Sequence, residues 1–322
     1  MALKSPLPVR NGVNATRLRL PRAGEGPWLT VMDYVLFRFG HVDPDGIVQR
    51  FEDGEVVALD GSAFTPHTPL GLHEFLWYYR DLPTEPRLPV EESIIFQDEH
   101  LVAVDKPHFL PTTPGGRYVQ ESALVRLRNR LNNPDLIPMH RLDRATAGVV
   151  LFSTNPDSRG AYQVLFEKRR IKKTYQAVSV IPEDRLEWTM GTFPSVFKNR
   201  MAKEKGYLLS RVTEGAANAR TRISVRAVGQ SQDSRYGTAV LWDLDPLTGK
   251  THQLRVHLAA LGCCILHDPF YPVLLDEAPD DYSRPLQLLA SSISFVDPFT
   301  KQERRFESGL ALAAAPISEA RG

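Results

Sequence analysis

From Val90 onward the chain is written in strand-length apolar runs with few helix-length stretches between them, and this texture constrains the fold more than any other feature. SIIFQDEHLVAVDKP predicts two short strands around a turn at Gln97, Asp98 and Glu99. KTYQAVSVI, ARTRISVRAV and TAVLWDLDPL follow as strands, and LLASSISFVDP is a late one. Helical spacing appears over 120–132, where Leu124, Leu127 and Leu131 share one side and Arg126 and Arg130 another, over 157–169, and in HQLRVHLAALG, which ends at Gly262. A doubly wound parallel sheet needs a helix between successive strands. The pattern therefore predicts an α+β fold built on a mixed, mostly antiparallel sheet.

The N-terminal quarter reads differently. Residues 1–27 are polar, proline-bearing and basic, with Lys4, Arg10, Arg17, Arg19 and Arg22, and predict a flexible arm, or in a sharper reading one that touches RNA. Residues 28–82 predict a small domain. In it, WLTVMDYVLFRFG forms a helix ending at Gly40, a short helix starts at Asp45, EVVAL forms a strand before an Asp60-Gly61 turn, and GLHEFLWYYRDL contains a further strand. Pro83, Pro86 and Pro89 mark 83–89 as a linker, leaving a large domain over 90–312 and a frayed tail over 313–322.

The chain has 322 residues, 42% of them hydrophobic and 24% charged, enough for a sizeable core in one or two domains. Its 39 basic and 38 acidic residues give a net charge of +1, which neither requires nor excludes nucleic acid, because local patches decide that. Adjacent Cys263 and Cys264 cannot supply a disulfide framework and are too few for a structural zinc site. With no apolar run of ~18 residues and no signal-peptide pattern, a cytoplasmic protein with no membrane span is expected, and a monomer.

Two motifs fail on spacing. GKT at 249–251 resembles a phosphate loop, but that loop needs a glycine where this chain has Leu244. His252 and His257 lie five apart, about 140° around a helix, which is not the spacing of a zinc pair, so no metal is expected. Basic clusters do stand out: EKRRIKK gathers Lys168, Arg169, Arg170, Lys172 and Lys173, Tyr175 follows as a ring on which a base can stack, and KNRMAKEK lies at 198–205. Acidic residues from Asp276 to Asp281 offset them, which suggests one basic face.

MHRLDRATAGVVLFS, 139–153, sets Asp143 between Arg141 and Arg144, just ahead of the apolar run Val149 to Phe152. A structural ion pair is the plain explanation of such a carboxylate. At the mouth of a strand burial is expected, and a buried carboxylate stays ionised only beside a cation. That is also the arrangement of a cofactor-free nucleophile or base.

HRLDRATAG, then KKTYQAV, then TGKTHQLRVHLAALGCCILHDPFYP resembles the RluA-type RNA pseudouridine synthases, with support from AVDKPHFLPTTPGG, ARTRISV and LQLLA, in the family's order over about residues 90–300. The resemblance implies a catalytic Asp143, a Tyr175 that stacks on the target uracil, an Arg255 that pairs with Asp143, a Leu288 packed against the base, an Arg141 that fills the gap left by the flipped nucleotide, and a Lys250 on phosphate. It implies isomerisation of uridine in RNA with no cofactor, ribosomal RNA ranking first as target and transfer RNA second. Ala147, Leu289 and His267 depart from the family's usual serine, histidine and glycine. The N-terminal unit resembles the small RNA-binding domain shared with ribosomal protein S-four, through a helix, EDGEVVALDG and a later strand. Two other functions compete: an RNA binder without catalysis, which would lack Asp143, Tyr175 or Arg255, and a metal-dependent hydrolase using His140, Asp143 and His252.

Overall fold

The computed structural model describes residues 3–81, 84–203 and 209–317. The chain divides into two compact units, 1–85 with 128–134, and 86–127 with 135–322.

In the first unit, strand β1 (Thr16–Arg19) is followed by helices α1 (Val31–Phe39) and α2 (Pro44–Glu52) and by strand β2 (Phe75–Tyr78), which pairs antiparallel with β1. A capping box starts α1: the Thr30 hydroxyl accepts from Asp33 N at 3.1 Å, and the Asp33 carboxylate accepts from Thr30 N at 2.9 Å. Asp43 caps α2, with Pro44 in its first turn. Leu20, Val31, Tyr34, Ile47, Phe51, Phe64 and Leu76 form the core. The expected flexible arm over 1–27 is thus corrected. TRLRL alternates, so Arg17 and Arg19 face water while Leu18 and Leu20 pack inward, and Arg128 donates to Gly12 O at 3.0 Å. Within EVVAL, Val56, Val57 and Ala58 are buried while Glu55 and Leu59 are exposed, and the segment forms isolated bridges, Val57 with Ala63 and with Trp77, instead of a strand.

The second unit runs β3 (Ser93–Gln97), β4 (Leu101–Lys106), α3 (Ala123–Arg130, whose residues from Arg128 on count with the first unit), β5 (Ile137–Pro138), β6 (Ala147–Ser153), α4 (Pro156–Glu167), β7 (Lys172–Val180), α5 (Leu186–Thr192), β8 (Ser195–Ala202), β9 (Arg211–Thr213), β10 (Ala219–Gln230), β11 (Thr238–Pro246), α6 (Gln253–Ala260), β12 (Leu288–Val296) and β13 (Glu303–Glu307). Its sheet has the order β3-β4-β6-β12-β7-β11-β10-β8-β9, with β13 on β12 and β5 on β6. Among the described strands only β6 and β12 run parallel, so the sheet is mixed and mostly antiparallel, as expected.

That parallel pair needs a glycine. Gly148 has φ +112°, and a Cβ there would lie 2.2 Å from Ala290 O. The close approach registers Ala147 on Leu289 and sets the segment before β6 beside the start of β12.

The segments read as a linker and a frayed tail each have a fixed point. The linker is anchored where Leu88 is buried and donates its N–H to Glu121 at 2.8 Å; Leu82 and Pro83 lie outside the described residues. In the tail, Ala314 is buried and its carbonyl accepts from the Ser231 hydroxyl at 3.1 Å; 318–322 lie outside the described residues. Among the described residues no helix is long and apolar enough to cross a membrane.

Candidate active site

The LDRA turn, 142–145, leads into β6, and three side chains from KPHFLPTTP clasp its backbone. Lys106 Nζ donates to Arg144 O at 3.4 Å as well as to Leu110 O at 2.8 Å and Pro107 O at 3.0 Å. His108 Nδ1 donates to Ala145 O at 2.7 Å. The Thr112 hydroxyl donates to Leu142 O at 2.8 Å and accepts from Leu142 N at 3.2 Å. Lys106 is fully buried; burial pushes its pKa down to about 7, against the charge of nearby Asp143. With Leu142 turned into the core, Asp143 turns outward.

Asp143 is not buried, contrary to expectation: 42% of its side chain is exposed. Its Oδ2 lies 3.8 Å from Arg255 Nη1 and 3.6 Å from His252 Nε2. The exposed edge leaves room for a substrate, and the other edge faces the Arg255 guanidinium and the His252 ring. The expected Arg255–Asp143 pair exists, but it is not Arg255's main bond. Arg255 Nε donates to Asp268 Oδ2 at 2.8 Å and Nη2 to Oδ1 at 2.5 Å, in a bidentate fork. Asp268 Oδ1 also accepts from Phe270 N at 2.8 Å, and the guanidinium lies 4.6 Å from the Phe270 ring centre. Arg255, 2% exposed, is therefore positioned by Asp268 and offers its remaining edge to Asp143.

His252 caps α6 in the left-handed region at φ 55°, which is sparsely populated outside glycine. Its Nδ1 meets the Tyr271 hydroxyl at 3.0 Å, while burial lowers its pKa against the opposing charge of Asp143. One residue on, Gln253 braces the turn before α6: its Oε1 accepts from Lys250 N at 3.1 Å, and its Nε2 donates to Thr221 Oγ1 at 2.9 Å.

Tyr175 lies on β7 and Leu288 opens β12. Both pack in one apolar cluster with Ala145, two residues past Asp143. Burial and the charge of Asp143 push the Tyr175 phenol up. The fold thus brings Asp143, Arg255, Tyr175 and Leu288 to one place. Arg141 is exposed on the Asp143 turn, and Lys250 is exposed ahead of α6. Lys168, Arg169, Arg170 and Lys172 are exposed between α4 and β7. Lys173 is the exception in that cluster. It is half-buried, its Nζ is 5.1 Å from the Phe166 ring centre, and burial lowers its pKa to about 8, so it belongs to the packing of α4. Lys205 of the second cluster lies outside the described residues.

The hydrolase set does not assemble. His140 Nε2 accepts from Leu151 N at 3.3 Å, and its ring lies against Phe166, 5.4 Å between centres. Among the described residues no group of three His, Cys, Asp or Glu side chains is placed to hold a metal. Sequence reasoning gave no role to Asp268, Tyr271, Gln253, Lys106, His108 or Thr112, although the segments KPHFLPTTP and HQLR…HDPFY contain them.

Residues 100–260 match the family model described as RNA pseudouridylate synthase. The chain is 34% identical over 194 residues to the dual-specificity RNA pseudouridine synthase RluA of Haemophilus influenzae, covering 59% of this chain and 79% of that one. It is 31% identical to the protein of the same name from Vibrio parahaemolyticus, covering 67% and 80%. It is 28% identical to tRNA pseudouridine synthase C of the same organism, covering 67% and 89%. Among solved structures, human RNA pseudouridylate synthase domain containing 4 aligns with a TM-score of 0.50 at 25% identity, over 68% of this chain and 88% of that one.

Proposed function

The chain belongs to the RluA-type RNA pseudouridine synthases and isomerises uridine to pseudouridine in RNA, and from that premise we propose that Asp143 is the carboxylate that acts on the ribose of the target. The observation that carries this reading is a half-exposed Asp143 oxygen 3.8 Å from the buried Arg255 guanidinium, beside the cluster that contains Tyr175 and Leu288.

The reaction breaks the bond from uracil N1 to ribose C1′ and forms one from C5 to C1′; the proton lost at C5 is balanced by one gained at N1. Glycosidases use a second carboxyl group to protonate an alkoxide leaving group. Detached uracil spreads its charge over two carbonyls, so one carboxylate suffices. Attack at C1′ and removal of a ribose proton both require a carboxylate oxygen open to the nucleotide, which the exposed edge of Asp143 provides.

The target leaves its stack to reach that oxygen, at a cost of a few kcal/mol. Stacking on Tyr175 returns about 1–3 kcal/mol, and Leu288 forms the apolar wall. Arg141 fills the vacated position. Lys168, Arg169, Arg170, Lys172 and Lys250 hold phosphates, which adds affinity without reading sequence. Large-subunit ribosomal RNA ranks first as target and transfer RNA second, in keeping with the dual specificity in the RluA name. A reducing, cytoplasmic setting fits the two free thiols, Cys263 and Cys264. Pseudouridine mapping of total RNA from cells with and without the gene tests this reading. A ribosomal uridine that loses its modification is the expected result; an unchanged map contradicts it.

A further inference from the structure

Arg144 follows Asp143, yet it is committed elsewhere. Its Nη1 donates to Asp280 Oδ1 at 2.9 Å, and Nη2 contacts Oδ2 of the same carboxylate. Arg117 Nη2 reaches that Oδ2 at 3.1 Å and the Tyr118 hydroxyl reaches it at 3.3 Å. Burial alone would raise the pKa of Asp280; the bond and charge of Arg144, with Arg117, outweigh it and hold the carboxyl below its ordinary range. Asp280 comes from the irregular segment 272–284, whose other residues are exposed, among them Val273, Leu274 and Leu275. Aromatic rings line the same place. The Arg144 guanidinium is 4.9 Å from the Tyr118 ring centre and 5.8 Å from that of Phe109, and Phe109 meets Tyr282 at 4.9 Å.

Two guanidinium groups and a phenol hydroxyl converging on one anion form a donor set that suits a phosphate oxygen as well as a carboxylate. Rings beside it offer faces on which a base can stack. Given the reading above, on which this inference rests, the RNA strand must pass within a nucleotide or two of Asp143, and so past this cluster. We propose that Arg117, Arg144 and the Tyr118 hydroxyl form a phosphodiester site for a nucleotide next to the target uridine, and that Asp280 fills it in the free enzyme until RNA displaces it. The 272–284 segment is then released as substrate binds, and the enzyme's affinity for RNA is set partly by this internal competitor.

The test measures binding of a fluorescein-labelled stem–loop RNA with a uridine-rich loop by anisotropy, with Asp143→Asn added to every variant so that no turnover intervenes. Asp280→Asn keeps the side-chain volume but removes the competing charge, and should tighten binding about fivefold or more, the scale of a modest coupling between sites. Asp280→Glu keeps the charge and should bind as the parent does. Adding Arg117→Ala to Asp280→Asn should reverse the gain. Equal or weaker binding by Asp280→Asn, or equal tightening by Asp280→Glu, overturns the proposal. Thermal unfolding midpoints identify any variant that has lost its fold, and for such a variant hydrogen exchange of 272–284 in the parent decides: faster exchange on adding RNA supports release, unchanged or slower exchange overturns it. Pseudouridine formation by the unmutated enzyme is measured separately, so failure of the competitor and failure of the catalytic reading remain distinguishable.

Discussion

Arg255 holds two carboxylates at once, Asp268 in a fork and Asp143 at 3.8 Å. Asp268 is the more dependent of the two, with 1% of its side chain exposed. Arg255→Ala therefore leaves a buried carboxylate unpaired, and should cost about 3–5 kcal/mol of stability, read from urea unfolding. Arg255→Lys should retain part of that stability and less of the activity, since an ammonium cannot form the fork and also reach Asp143. Stability unchanged in Arg255→Ala would contradict this assignment. The sequence made Asp143 legible because charged turn residues run straight into an apolar strand. It hid Asp268, because the bond that matters closes over thirteen positions of chain and no local pattern marks it. The two arginines flanking Asp143 misled for the same reason: Arg144 answers to Asp280, and Arg141 faces water.

At the scale of elements, the site depends on where β6 and β12 begin. Gly148→Ala would place a methyl group against Ala290 O and strain a left-handed residue at once. The expected cost is about 2 kcal/mol or more, with loss of activity although no functional side chain has changed. Hydrogen exchange at Leu289 and Ala290 would report it: faster exchange there supports the account, and unchanged protection contradicts it. Long strands such as β7, β10 and β11 were legible from their apolar and alternating runs. EVVAL was misread because its apolar Val56 and Ala58 belong to the small domain's core, while Val57 makes only isolated bridges. The parallel pairing of β6 with β12, which sets Leu288 beside the turn, is a long-range choice that alternation does not encode.

For the whole molecule, the texture of the sequence carried the fold class, a mixed and mostly antiparallel sheet with few helices. Among the described residues, single inward side chains, Leu20 and Ala314, anchor stretches that are otherwise polar or low in pattern. Stability should depend on pH through fully buried His257. It sits between Thr221 Oγ1 at 2.8 Å and Asn199 Oδ1 at 2.9 Å, and burial lowers its pKa from 6.5 to about 4. The unfolded chain binds a proton there below pH 6.5 and the folded chain does not until about pH 4. Its contribution is therefore full above pH 6.5 and falls across that window by about 1.4 kcal/mol per pH unit, or about 3 kcal/mol in all. Urea unfolding of His257→Gln should show a shallower acid slope than the parent, by one proton; equal slopes would contradict the neutral, buried assignment.

The most direct test of the central claim is pseudouridine formation by purified Asp143→Asn on unmodified ribosomal and transfer RNA transcripts, with RNA affinity measured on the same samples. The account predicts turnover reduced to background with affinity close to that of the parent. Turnover near that of the parent would contradict it, and would remove Asp143 from the chemistry.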